Sequence, residues 1–215
     1  MPNHCANSVY LPIEDDAREV LKPYLSLDKD GEEVLDFNKI VPMPKELEAE
    51  TTQYSKNEKE NKRIREENLK NFGFSDWYEW RLAKWDTKWN SYWMHTDGNC
   101  IRFSTAWSPP NKVICALAKL LNKPLRLTYA DEAYMFWGET LIDELGNEVE
   151  DNCYDNIKDT PDEIIEELGV RSGLGLDEEE EEKPDPEDEA KLRSEAEQIL
   201  MEDEGYRNLM KGMKQ

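Results

Sequence analysis

The sequence predicts an α+β protein: an antiparallel sheet with helices on one face, a helical insertion, and an acidic helical C-terminal extension. Three observations lead there. Short alternating stretches exchange with segments of helical periodicity through residue 150, as expected of strands and helices packed in layers. Seven Trp, nine Tyr and five Phe sit in a chain that is only 38% hydrophobic, which supplies the large apolar surface a disordered chain lacks. Beyond residue 150 the composition turns strongly acidic.

Residues 5–12 alternate as a short strand, and Asp15 and Asp16 open a helix with Ala17, Val20, Leu21, Tyr24 and Leu25 at helical spacing. Residues 34–41 read as a second extended segment, closed by Pro42 and Pro44. Residues 55–71 are almost all charged or amidic, a solvated helix or a mobile insertion. Ser75 is placed to cap a helix reaching Trp89, with Tyr78, Leu82, Trp85 and Trp89 along one face and Trp77 and Trp80 to its side.

Two strands follow at 92–95 and 100–105, joined by the turn Thr96-Asp97-Gly98-Asn99. Residues 111–122 form a helix with Val113, Ile114, Leu117, Leu120 and Leu121 as its apolar stripe. A strand at 125–129 precedes a longer one at 133–142, in which Gly138 suggests a bulge. Gly146-Asn147 turns the chain into a last short strand, 148–150. With the insertion at about 45–90 set aside, the order is βαββαβ, which fits a ferredoxin-like domain over residues 1–150.

Residues 151–215 read as an acidic linker and helical tail. Thr160-Pro161-Asp162-Glu163 is a helix start, with Thr160 as cap and Pro161 at the first helical position. A Gly-rich stretch at 169–175 leads to Asp177 and the run Glu178, Glu179, Glu180, Glu181 and Glu182. A further helix up to Met201 would gather Leu192, Ala196, Ile199 and Leu200 on one side.

The chain carries 49 acidic and 27 basic residues, a balance of −22; residues 151–215 hold 22 acidic and 8 basic, or −14, leaving −8 for the rest. Such self-repulsion opposes sequence-independent nucleic-acid binding and anionic membranes, and favours partners with basic surfaces. No apolar run reaches membrane-spanning length, and Cys5, Cys100, Cys115 and Cys153 form no CxxC pair. The expectation is a cytoplasmic protein with free thiols and no cofactor.

Several segments resemble a known family when taken together: Met1-Pro2-Asn3 with Cys5 and Asn7, then Asp36-Phe37-Asn38-Lys39-Ile40-Val41-Pro42-Met43-Pro44. Trp77-Tyr78-Glu79-Trp80, Trp85-Asp86-Thr87-Lys88-Trp89, Thr105-Ala106-Trp107-Ser108-Pro109-Pro110 and Gly138-Glu139 follow in order. Over residues 1–150 the set resembles the Api-type family of prophage, phage and plasmid proteins. The resemblance implies a ferredoxin-like domain and a mobile-element origin, and it implies no catalytic residues. His4 stands where that family usually has Trp, and Asp86 where it usually has Gly.

Other constellations weigh less than their structural readings. His4 and Cys5 with His95 and Cys100 hold zinc-ligand types, but neighbours on a strand point to opposite faces. Pro2 would offer a secondary amine if Met1 were removed, yet no cations near it would hold an anionic substrate. Asp15-Asp16, Asp131-Glu132 and Asp143-Glu144 are acidic pairs of the kind common at helix starts and turns. The aromatic helix, with Trp107 and Trp137 on strands, is a stacking platform or a flat interface in its sharper reading and core in its blander one. Arg81, Lys84 and Lys88 give that platform only a thin basic surface.

The expected function is therefore that of a non-enzymatic interaction protein of a phage or mobile element. It would contact a basic protein partner through Trp77, Trp80 and the acidic residues Glu178 to Glu182, with carboxylates mimicking nucleic acid against a host defence or nucleic-acid-binding protein. The alternatives are a small-molecule enzyme of another class and an aromatic-face nucleic-acid binder.

Overall fold

A computed structural model describes residues 3–48 and 58–176, and the described residues as far as Gly175 belong to one compact unit. The chain begins with β1 (His4–Tyr10), which buries Cys5, Asn7 and Val9 on one face. The Asp16 carboxylate accepts the Glu19 N–H at 3.0 Å and so starts α1 (Ala17–Leu21). A small hairpin follows, β2 (Leu25–Leu27) against β3 (Glu33–Leu35).

The extended reading of 34–41 ends there. Asp36 Oδ1 accepts the Asn38 N–H at 3.0 Å and opens a helical turn, α2 (Phe37–Ile40). The turn puts Phe37 and Ile40 together in the core, where strand alternation would have sent them to opposite faces. Next come α3 (Glu58–Phe72), a largely exposed helix with Arg63 bridging Glu60 and Glu67, and α4 (Trp77–Trp85). Asp76, not Ser75, caps α4 by accepting the Tyr78 and Glu79 N–H groups at 3.1 Å. The helix stops at Trp85 because Asp86 enters the left-handed region, so Trp89 lies outside it.

The main sheet continues with β4 (Tyr92–Asp97) and β5 (Cys100–Ala106), then α5 (Asn111–Leu121) and β6 (Leu125–Asp131). It closes with β7 (Trp137–Ile142) and β8 (Glu148–Tyr154). The strand order is β4-β5-β1-β6-β7-β8, antiparallel throughout. The first four strands in that order, with α1 and α5 in the crossovers, are the βαββαβ arrangement of a ferredoxin-like domain. Its second strand is β4, and β7 and β8 extend the sheet by a meander. The core on the α5 face gathers Val9, Ile101, Phe103 and Leu127 from the sheet with Val113, Ile114 and Leu117 from α5. Leu120, placed in that stripe by spacing, points to solvent.

The opposite face is also partly covered. Trp137 and Ala130 alternate away from the α5 side and pack with Ile164, Ile165 and Val170 of α6 (Asp162–Glu167) and α7 (Val170–Gly173). Thr160 does not cap α6. Its hydroxyl accepts the Trp137 indole N–H at 3.1 Å and donates to the Asn156 carbonyl at 2.9 Å, so it fixes the fully buried Trp137 instead. Arg126 fastens α6 further, meeting Glu139 at 2.8 Å and Glu167 at 2.7 Å. The helix expected between Pro186 and Met201 lies outside the described residues.

Two backbone positions explain their residues. Gly138 pairs regularly with Tyr129 and Cys153 and forms no bulge. A Cβ there would lie 2.1 Å from the Asn152 carbonyl oxygen and 2.9 Å from the Tyr129 hydroxyl. We expect Gly138→Ala to destabilise the protein by about 3 kcal/mol in chemical denaturation, because a backbone atom must move. Asp86 has φ 63°, a conformation glycine adopts freely. Its carboxylate compensates by accepting the Lys112 N–H at 2.9 Å near the start of α5. Asp86→Ala, which keeps the strain and loses the cap, should be less stable than Asp86→Gly by about 1 kcal/mol in the same measurement.

Candidate functional site, an aromatic groove beside β4

The exposed tryptophans do not lie on α4. They gather where β4 and the end of β5 meet the start of β1. Trp93 is 69% exposed, Trp89 39% and Trp107 41%. Trp93 and Trp107 both adopt positive φ, 53° and 78°, a rare conformation for bulky side chains. At Trp93 the cause is a register shift between Tyr92 and His95 that kinks β4 and turns the indole outward.

His4 fills the space behind Trp93, with ring centroids 4.8 Å apart. The Tyr92 hydroxyl donates to the Thr105 carbonyl at 2.9 Å, so the 2.7 Å contact from His4 Nδ1 is a donated N–H. That places a proton on Nδ1, while Nε2 lies 3.9 Å from the Glu132 carboxylate. His4, Trp89, Tyr92, Trp93 and Met94 form one wall of a groove of ≈790 Å³. The other wall is the β2–β3 hairpin with Asp28, Lys29, Asp30, Glu32 and Glu33. Asp28 is used within its own turn, accepting the Asp30 and Glu32 N–H groups, and Glu33 pairs with Arg18 at 2.6 Å. Asp30 and Glu32 are exposed and carry no ion pair among the described residues.

Lys88 borders this groove. Its ammonium lies 4.1 Å from the Trp89 ring and 3.8 Å from the Trp107 ring, a cation held between two indoles. Arg81 is similarly placed, 5.0 Å from Trp77 and 4.9 Å from Trp85, and Lys84 lies 5.9 Å from Phe74. All three cations near the aromatic segment are thus applied to the protein's own rings.

Residues 84–183 match the family model of the ferredoxin-like domain in Api92-like protein. The match takes in the strands and helices from β4 to α7 and runs beyond residue 150. No curated protein matches the chain. Among solved structures, the crystal structure of protein Api92 from Yersinia pseudotuberculosis is similar at 17% identity and a TM-score of 0.33, covering 40% of this chain. The chain spans 32% of the length of that protein.

The residues singled out from the sequence fall elsewhere. Trp80 is 6% exposed and packs edge-on against the buried Trp85, whose indole N–H donates to the Val41 carbonyl at 2.9 Å. Trp77 is half-buried, with Arg81 over its ring. The face of α4 that meets the core is therefore Trp77, Trp80 and Trp85, while Tyr78 of the expected stripe is exposed. Trp137, paired with Trp107 as a possible platform by strand pattern, lies under α6 and α7. Glu178, Glu179, Glu180, Glu181 and Glu182 lie outside the described residues, as does Pro2.

The histidine and cysteine pairs do not converge, and among the described residues no group of three or more His, Cys, Asp or Glu is placed to hold a metal ion. The acidic pairs have local tasks: Asp15 meets Lys123 at 3.1 Å, Asp131 accepts the Ala133 N–H, and Asp143 accepts the Leu145 and Asn147 N–H groups. Trp93 was missed because alternation alone does not reveal a kink. The adjacent pair Tyr92-Trp93 was the available signal, since neighbours on a strand occupy opposite faces.

Burial pushes the Tyr92 hydroxyl up to about 12, with Cys5 and Glu132 adding to the shift. Because the folded value lies above the ordinary 10.0, this group's contribution to stability is complete below pH 10 and lost as pH rises toward 12. Wild-type protein should lose stability more steeply than Tyr92→Phe between those pH values, read as the slope of denaturation midpoint against pH. Equal slopes would place the hydroxyl in ordinary solvent.

Proposed function

We propose that the protein acts by binding and not by catalysis, as an interaction protein of a phage or other mobile element that engages a basic protein partner. The observation that carries this reading is the groove beside β4, where exposed tryptophans face a carboxylate-bearing hairpin on a chain of charge −22. Exposed aromatic rings with an acidic rim favour cationic protein surface and repel phosphate. A host defence or nucleic-acid-binding protein offers such a basic surface, and the acidic run at Glu178 to Glu182 adds a second attraction of the same sign. Burial pushes the thiols of Cys5, Cys100 and Cys115 up, so these cysteines favour the protonated, less nucleophilic form. The mobile-element origin is what the resemblance carried by the motifs over residues 1–150 implies.

The test is capture from host cells by full-length protein and by a chain ending at Gly175, read by mass spectrometry at increasing salt. The expected result is a small set of basic proteins released between about 0.1 and 0.5 M salt, as screening shortens electrostatic reach from about 10 Å to about 4 Å. Retention that ignores salt, or of acidic proteins only, would sink the reading.

A further inference from the structure

The geometry points to the groove between β4 and the β2–β3 hairpin as a receptor for a cationic side chain, arginine or lysine, on a basic segment of a partner protein. This deepens the reading of the protein as a binder of basic partners and rests on it. Four features carry it.

Trp93 presents a broad indole to solvent and is held outward by a kinked, positive-φ backbone. A bulky residue in that conformation costs free energy that a flexible surface residue would avoid, and such strain gathers at binding sites. Behind it His4 is locked by its bond to Tyr92, so the ring does not have to be ordered on binding. The rim is net acidic, four carboxylates against the ammonium of Lys29, and of these Asp30 and Glu32 carry no ion pairs of their own among the described residues. The neighbouring pair Trp89 and Trp107 already holds a lysine ammonium, that of Lys88, at 4.1 and 3.8 Å. Trp93 offers the same indole chemistry one residue cluster away, and among the described residues no cation lies over its ring. A guanidinium or ammonium over the Trp93 face, with a flanking cation on Asp30 and Glu32, satisfies both walls of a ≈790 Å³ groove.

Fluorescence anisotropy with a labelled peptide alternating arginine and serine, and with its neutral citrulline counterpart, tests the assignment on the full-length chain. Trp93→Gly removes the ring and suits the positive φ, so the fold survives the change. The double variant Asp30→Asn/Glu32→Gln removes the rim charges. As a control, Glu144→Gln/Glu150→Gln removes two exposed charges at the opposite edge of the sheet.

The expected result is that each groove variant weakens the arginine peptide by at least about threefold, while the control does not and citrulline fails to bind. Equal binding by parent and both groove variants would overturn the groove as the receptor, while salt-sensitive capture of basic proteins would still stand. Equal binding of the citrulline peptide would overturn cation recognition. Failure of the parent to bind the arginine peptide would also overturn the assignment, and the capture experiment separately decides whether basic partners bind at all.

Discussion

Strand β1 pairs on one edge with residues 100–106 and on the other with residues 126–131, so no central sheet exists until the first residues of the chain have found both partners. Every contact that closes it spans a long loop, and the entropy of that closure must be offset before any local gain. Asn7 is the residue that makes the closure selective. Buried in the middle of β1, its amide donates to the Cys5 carbonyl at 2.8 Å and the Thr105 hydroxyl at 2.9 Å. A shift of β1 by one residue would send that amide to the other face and part it from the Thr105 hydroxyl across the strand, which penalises the wrong register. The groove inherits this constraint, because His4 is the first residue of the same strand.

What pattern could read in this chain was largely what period alone decides. The alternation of β5 and the stripe of α5 were legible, since each depends on a run of residues obeying one repeat. Residues 34–41 were not, because a single carboxylate, Asp36, switches the backbone from strand to turn through one local hydrogen bond. Thr160 and Gly138 show a different limit. Each sits in a motif with a common local meaning, helix cap and strand bulge, and in each a partner distant in sequence takes the residue for another purpose. The candidate site was hidden for the same reason: Trp77 and Trp80 have the spacing of a presented face, yet the core lies on that side of α4.

The basic residues around the aromatic segment carry a further lesson about charge. Arg81 and Lys88 each lie between two tryptophan rings of the same chain, so the positive charge nearest those tryptophans is applied to the protein's own aromatic surface. A count of cations along the sequence overstates what this surface offers to a phosphate. Counts of carboxylates overstate the available charge in the same way at Asp16, Asp76 and Asp86, which cap helices and are part of the scaffold. The charge left for recognition is that of side chains with no structural task, such as Asp30 and Glu32.

The kink at Trp93 acts on the sheet as well as on the groove. β4 is a border strand, and a flat border strand offers a row of unpaired N–H and carbonyl groups to any other extended chain. Between Tyr92 and His95 the register shifts, so an additional strand laid along β4 would lose its ladder after a residue or two. One distortion thus holds an indole out for recognition and denies the same edge to templated stacking, so a large apolar ring is displayed without the adjoining backbone becoming a seed for aggregation.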